Sequence, residues 1–280
     1  MKMDRITEEA LEAFRQSLCI NERSSGTVEK YLRDVRNFAD WLMGTQLTAE
    51  AAIGWKEYLL EKNYNPITIN SMLSALNSFL SFIGMDFKIR FLKVQKRIFR
   101  DESRELTREE YTHLIETAKN LRKDRLALII ETIGATGIRV SEVSYITVEA
   151  ARVGKVQINL KGKIRVIMLP NRLCRKLLKY AGKNKITSGE IFLTKGGRAL
   201  SRKQIWAEMK SICEKAGISA SKVFPHNLRH LFATVYYRVY KDIAKLADLL
   251  GHSSIETTRI YLLSTGKEHA REIEELGLVV

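Results

Sequence analysis

The stretch KDIAKLADLLGHSSIETTRIY, Lys241–Tyr261, sets a glycine, a histidine and two serines between an apolar helical pattern and a tyrosine. Its first part predicts a helix with Ile243, Leu246 and Leu250 inward and a stop at Gly251. Ser253 with Glu256 three places on predicts the cap of a second helix, so His252 falls in the tight turn between the two. Such a turn presents a side chain near the free N–H groups of the next helix, where an anion is favoured. Tyr261 is expected two turns along that helix. Ordinary helix packing accounts for the same residues, but a core tyrosine rarely keeps so much polar company.

Upstream, FPHNLRHLFAT (224–234) places His226 and Arg229 at i and i+3, on one helical face, where an acid–base group and a phosphate clamp can act on one ligand. His226 and His230 form an i, i+4 pair, but a zinc-protease helix needs Glu after the first histidine and this chain has Asn227, so no metal is expected. His230 is read as a structural hydrogen-bonding residue. In ATGIRVSEV (135–143), Glu142 stands three residues after Arg139, a spacing at which a carboxylate orients a guanidinium and leaves its other N–H groups for an oxyanion. Alone, that pair also reads as a surface ion pair.

Around these segments the chain predicts a mainly α fold with a small β-sheet. Val156, Ile158 and Leu160 alternate before Lys161-Gly162-Lys163, and aliphatics resume after it, which predicts a β-hairpin. Thr107-x-x-Glu110 and Ser201-x-x-Gln204 are helix-opening capping patterns. At the N-terminal end, Tyr31, Val35, Phe38 and Leu42 recur at helical spacing, and Asn65-Pro66 announces a helix running to Gly84. With segments near Thr7–Leu18 and Thr48–Lys62, this makes a bundle of about four helices over residues 1–87. Residues 88–105, with seven basic and three acidic side chains, read as an interdomain linker. Lys88, Arg90, Lys93, Lys96, Arg97 and Arg100 make it a candidate strap along a phosphate backbone; a solvated charged loop is the plainer alternative. Residues 106–280 form the second domain.

Composition narrows the partner. Forty-seven Lys and Arg against thirty-two Asp and Glu give a net charge of +15, which points to an acidic partner, most commonly nucleic acid. The three cysteines, Cys19, Cys174 and Cys213, are far apart and form no zinc or disulfide pattern, as expected of a reducing cytoplasm. The N-terminus lacks the apolar core of a signal peptide, and the longest aliphatic run, Leu126–Ile130, is too short to span a bilayer. A soluble cytoplasmic protein without membrane contact is expected.

Taken in order, Arg139, Lys161, His226, Arg229, His252 and Tyr261 closely resemble the catalytic set of the tyrosine recombinase (phage integrase) family, especially its Xer-like branch. TGIRVSE, HNLRH and LGHSSIETTRIY look like the family's three signature boxes in the right order, and the N-terminal bundle looks like its SAM-like core-binding domain. The resemblance implies an α+β catalytic domain after the helical bundle. It also implies a site-specific recombinase acting as a homo-tetramer on two duplexes through a Holliday junction, the two domains clamping the DNA. Tyr261 is then the nucleophile, forming a 3′-phosphotyrosyl link that preserves the bond energy, so no cofactor or ATP is needed. Arg139 and Arg229 would neutralise the non-bridging oxygens, His252 would add a hydrogen bond, and His226 would take the phenol proton. The hairpin lysine would protonate the departing 5′-oxygen. The turn here is about one residue shorter than the family's, so Lys161 matches best and Lys163 is the alternative. In relatives a C-terminal segment docks into a neighbouring protomer; here Ile273, Leu276 and Leu278 would do so, or would pack on their own domain. A type IB topoisomerase uses similar chemistry in one duplex, but the N-terminal bundle and signature boxes favour recombination. A non-catalytic architectural DNA-binding protein would explain the charge and the helices without requiring Tyr261.

Overall fold

The computed structural model describes residues 6–94, 102–160, 163–194, 196–262, 270–271 and 273–278, without the side chains of residues 102, 160, 163, 164 and 262. The chain divides into two compact units, Met1–Lys96 and Arg97–Val280. Lys96, Arg97, Arg100 and Lys161 lie outside the described residues, as does the side chain of Lys163.

The first unit holds four helices: α1 (Glu8–Ile20), α2 (Ser25–Leu42), α3 (Ala49–Glu61) and α4 (Pro66–Phe82). Each starts where the sequence supplies an acceptor for an orphan N–H: Thr7, Ser24, Thr48 and Asn65. Asn65 is followed by Pro66 at the first helical position, where the missing N–H is not needed. Phe14, Val35, Phe38, Phe79 and Leu80 are fully buried between the helices. Burying each such phenylalanine stabilises the unit by about 1.5–3 kcal/mol. Trp41 stacks on Phe38 and tilts against Trp55 at 5.5 Å between ring centroids, closing the α2–α3 side.

The segment after α4 is extended and docked. Asn77 accepts from the Ile89 N–H (2.8 Å) and donates to the Ile89 carbonyl (2.9 Å). Asn70 repeats the pattern on Leu92, at 2.8 and 2.9 Å. The spacings explain the match. Seven residues of helix rise about 10.5 Å, and three residues of extended chain span about 10 Å, so two carboxamides on one face of α4 meet every third backbone unit. Ile89 is buried while Lys88, Arg90 and Lys93 are exposed.

In the second unit α5 (Arg108–Asn120) and α6 (Asp124–Thr136) are followed by α7 (Val148–Val153) and the antiparallel hairpin β1 (Lys155–Leu160) and β2 (Lys163–Met168). Then come α8 (Asn171–Lys183), α9 (Arg202–Lys210), α10 (Pro225–Tyr240) and α11 (Ile243–Leu250). The Thr107–Glu110 and Ser201–Gln204 capping boxes both form. Helix α6 is buried along nearly its whole length, from Leu126 through Ile130 to Ile133 and Thr136. A helix apolar on all sides belongs at the centre of a unit, and α6 packs on α5, α8, α9 and α10. The hairpin pairs Val156 with Ile167 and Ile158 with Arg165. Val156, Ile158 and Ile167 face the core, while Val166 and Met168 face outward. No helix among the described residues is long and apolar enough to cross a membrane.

One expectation is corrected. After Gly251 the chain forms no α-helix capped by Ser253. Ser254 accepts from the Glu256 N–H, and two 3₁₀ turns follow, Ile255–Thr257 and Arg259–Leu262. Ile255, Thr257 and Thr258 are β-branched and disfavour a helix, and the fully buried Thr258 engages His252 with its hydroxyl. Tyr261 therefore sits on a short turn.

Candidate active site

The site begins where α6 ends. Gly137 has φ +63°, and a Cβ there would lie 2.5 Å from the Phe232 ring, so backbone sign and space both require glycine. The chain then turns so that Arg139 opens a 3₁₀ segment, Val140–Tyr145, with Glu142 inside it. The Glu142 carboxylate accepts from the Arg139 backbone N–H and guanidinium, both at 2.9 Å. It also accepts from Arg165 of β2 at 3.1 Å. Glu142 is 3% exposed, Arg165 11% and Arg139 41%, so Arg139 alone of the three reaches substantially into solvent.

Arg229, on the second turn of α10, is buried. Its guanidinium donates to the carbonyls of Gly137 (2.6 Å) and Leu250 (2.7 Å) and to His252 Nε2 (3.0 Å). Three consecutive carbonyls at the end of α11 each take one arginine: Leu249 from Arg165 (2.7 Å), Leu250 from Arg229, and Gly251 from Arg139 (3.1 Å). The last carbonyls of a helix have no intrahelical partner and carry partial negative charge. Gly251, at φ +61°, ends α11 and turns those carbonyls toward the arginines. Three cations therefore share one helix end, two of them also sharing the Glu142 carboxylate, and Arg139, Arg165 and Glu142 line, with His252, a hollow of about 730 Å³.

His252 has a defined tautomer. A guanidinium only donates, so Nε2 accepts from Arg229, and Nδ1 carries the hydrogen donated to Thr258 Oγ1 at 2.8 Å. Burial, then the charges of Arg229, Arg139 and Arg165, push its pKa down to about 4, so the ring is neutral at pH 7. In this arrangement His252 braces Arg229 with one nitrogen and Thr258 with the other; the further hydrogen bond expected of it toward a phosphate is not offered by a free N–H. Burial lowers the pKa of Arg229, with Arg139 adding to the effect, while the charge and hydrogen bond of Tyr261 raise it. Arg165 is pushed down to about 10 by burial, against the pull of Glu142, and remains charged at pH 7.

Tyr261 is 4% exposed. Its ring lies parallel to His252 (15°, 6.1 Å between centroids) and meets His230 edge-on at 4.9 Å. His230, whose Nδ1 lies 3.4 Å from Thr234 Oγ1, is thus part of the tyrosine's housing. His226 stands exposed on the first turn of α10, and no hydrogen bond joins it to Tyr261 among the described residues. Desolvation, and then the Arg229 charge, hold its pKa below 6.5. The structure thus gathers Arg139, Glu142, Arg229, His252 and Tyr261 and leaves His226 at the rim. No group of three or more His, Cys, Asp or Glu able to hold a metal ion occurs among the described residues.

Two members were missed from sequence. Arg165 was legible in the strand parity: in KIRVIML, alternation puts it on the same face as Ile167 and Leu169. Thr258 carried no local signal, because its partner is fixed only once the turn has closed.

Residues 104–268 match the phage integrase family, and residues 11–84 match the N-terminal SAM-like domain of phage integrases. Tyrosine recombinase XerA of Thermococcus kodakarensis is 31% identical over 97% of this chain and 96% of its own length. Tyrosine recombinase XerA of Pyrococcus furiosus is also 31% identical, over 100% and 98%. In fold the chain is similar to XerH site-specific recombinase bound to its difH substrate, with TM-score 0.69, 19% identity, and coverage of 96% of this chain and 84% of that one. It is also similar to lambda integrase as a tetramer on a Holliday junction, with TM-score 0.72, 17% identity, and coverage of 90% and 76%. With both units matched and the relatives spanned almost end to end, the chain belongs to the phage integrase family, as a Xer-like tyrosine recombinase.

Proposed function

We propose that the protein recombines double-stranded DNA at specific sites, using Tyr261 to cut and Arg139, Arg229, His252 and His226 to assist. The observation that carries this reading is that Tyr261 stacks on His252, which binds Arg229 and adjoins the Gly251 carbonyl held by Arg139, so the phenol and both guanidinia meet at one turn. When the phenol oxygen attacks a phosphodiester, negative charge grows on the non-bridging oxygens. Two preorganised guanidinia held by protein carbonyls, Arg229 buried and Arg139 facing solvent, stabilise that charge with little reorganisation. The bond formed joins Tyr261 Oη to phosphorus, and the bond broken is to the 5′-oxygen. His226 takes the phenol proton; its lowered pKa keeps it neutral, hence able to accept, at pH 7. Lys161, or Lys163 as the alternative, gives a proton to the departing 5′-oxygen. Reversal by a 5′-hydroxyl from the partner duplex rejoins the strand.

The assembly proposed is a homo-tetramer on two duplexes joined at a Holliday junction, with the C-terminal tail exchanged between protomers. Exposed apolar side chains in that tail support the exchange: Ile273, Leu276 and Leu278 are 55%, 64% and 81% exposed. Exposed Lys88, Arg90 and Lys93 on the docked segment are proposed to contact phosphates, with Lys96, Arg97 and Arg100 continuing the strap. The domain division proposed is 1–87 for core binding, 88–105 for the linker and 106–280 for catalysis.

A nicked duplex that traps the cut strand tests the chemistry. Wild-type protein is expected to form a covalent adduct that survives denaturing electrophoresis, and Tyr261→Phe to lose it while still shifting the same DNA. An adduct of undiminished yield in Tyr261→Phe sinks the assignment. DNA binding without any adduct in the wild type points to an architectural protein, and plasmid relaxation without strand exchange to a topoisomerase.

A further inference from the structure

We infer that Arg165 is a positioning residue for strand cleavage, bracing Glu142 from β2 and gripping the last turn of α11 so that Arg139 and His252 share one geometry. This rests on the reading of Arg139, Arg229, His252 and Tyr261 as the cleavage site. Arg165 occupies a register position paired with Ile158, on the face where Ile167 packs into the core. An isoleucine or leucine would satisfy that position more simply, since burying a cation costs several kcal/mol unless partners compensate. The partners found are those on which the site depends.

Arg139 has two anchors, Glu142 at 2.9 Å and the Gly251 carbonyl at 3.1 Å. Arg165 controls both. Its NH1 donates to both oxygens of the Glu142 carboxylate, at 3.1 and 3.4 Å. Its aliphatic stem packs under Gly251, where an added Cβ would come within 2.5 Å of Arg165 Cδ, and its NH2 donates to the Leu249 carbonyl. His252 follows Gly251 directly. Without Arg165, Glu142 loses one of its two hydrogen-bonded guanidinia and the α11 turn loses the group beneath it, so Arg139 and His252 lose their common reference. Lysine keeps the charge but lacks the planar fork needed to reach Glu142 and Leu249 together.

Single-turnover adduct formation on the nicked duplex, with DNA affinity measured separately by binding titration, tests this. At saturating DNA, Arg165→Met is expected to slow adduct formation about 10²-fold, the scale of a displaced catalytic group, while Kd changes less than about threefold. Arg165→Lys should remain at least about tenfold slow. In a Glu142→Gln background the further effect of Arg165→Met should shrink to about threefold or less, because the two act through one contact. Wild-type rates in Arg165→Met, full rescue by Arg165→Lys, a loss confined to Kd, or an undiminished effect in the Glu142→Gln background each overturn the proposal. Should Arg165→Met fail to fold, the rate of Arg165→Lys decides alone. An adduct persisting in Tyr261→Phe removes the underlying site reading, and this proposal with it, whatever the Arg165 variants do.

Discussion

Arg139, Arg165 and Arg229 bring three positive charges around one buried carboxylate, Glu142. At a few ångströms and an effective dielectric near 20, each like-charge pair repels by about 3–4 kcal/mol. The cluster is tolerable because the unpaired carbonyls of Leu249, Leu250 and Gly251 supply the remaining negative potential. Burial first, and then the same cations, disfavour a proton on His252, which yields a prediction about acid stability. The unfolded histidine takes a proton near 6.5 and the folded one near 4, so between these values the unfolded chain holds more protons. Lowering pH from about 6.5 to about 4 should therefore lower the melting temperature of the second unit, with His226 acting in the same direction. His252→Asn should flatten that decline. Equal pH dependence in the variant and the wild type would show that the ring is not the titrating group.

At the scale of elements, the best-specified device is the pair of carboxamides on α4. Each replaces the edge of a strand for one backbone unit of the segment 88–94, and their seven-residue spacing sets the register in which Lys88, Arg90 and Lys93 face solvent. Asn77→Ala leaves the Ile89 N–H and carbonyl, beside a buried side chain, without partners. The expected destabilisation is about 1–3 kcal/mol, read by urea unfolding of the full chain. Asn70→Ala, on the less buried Leu92, should cost less. Equal stability of both variants and wild type would mean that water replaces the clamp. Neither asparagine drew notice in the sequence, because its partner is a backbone group whose path α4 itself defines. The opposite failure occurred after Gly251, where Ser253 and Glu256 had the spacing of a capping box, yet tertiary burial of Thr258 bent the chain into 3₁₀ turns.

For the whole molecule, the charge of +15 makes salt the decisive variable. If about six phosphates are neutralised, log Kobs should fall with log salt at a slope near −5. Arg90→Ala should make that slope shallower by about one and weaken all sequences alike, since phosphate contacts carry no sequence information. A slope unchanged in Arg90→Ala, measured by fluorescence anisotropy over a salt series, would remove Arg90 from the interface. The sequence by itself determined the helix starts at Asn65, Thr107 and Ser201, the helix stop at Gly251, the hairpin and the three signature boxes, because capping, alternation and motif spacing are local properties. Only the tertiary structure decided that Arg165 faces the same carboxylate as Arg139, that His230 rather than His226 touches Tyr261, and that His252 is neutral with its hydrogen on Nδ1. Those facts depend on which groups from distant segments share one buried volume, where low dielectric and the finite number of donors and acceptors fix charge and orientation.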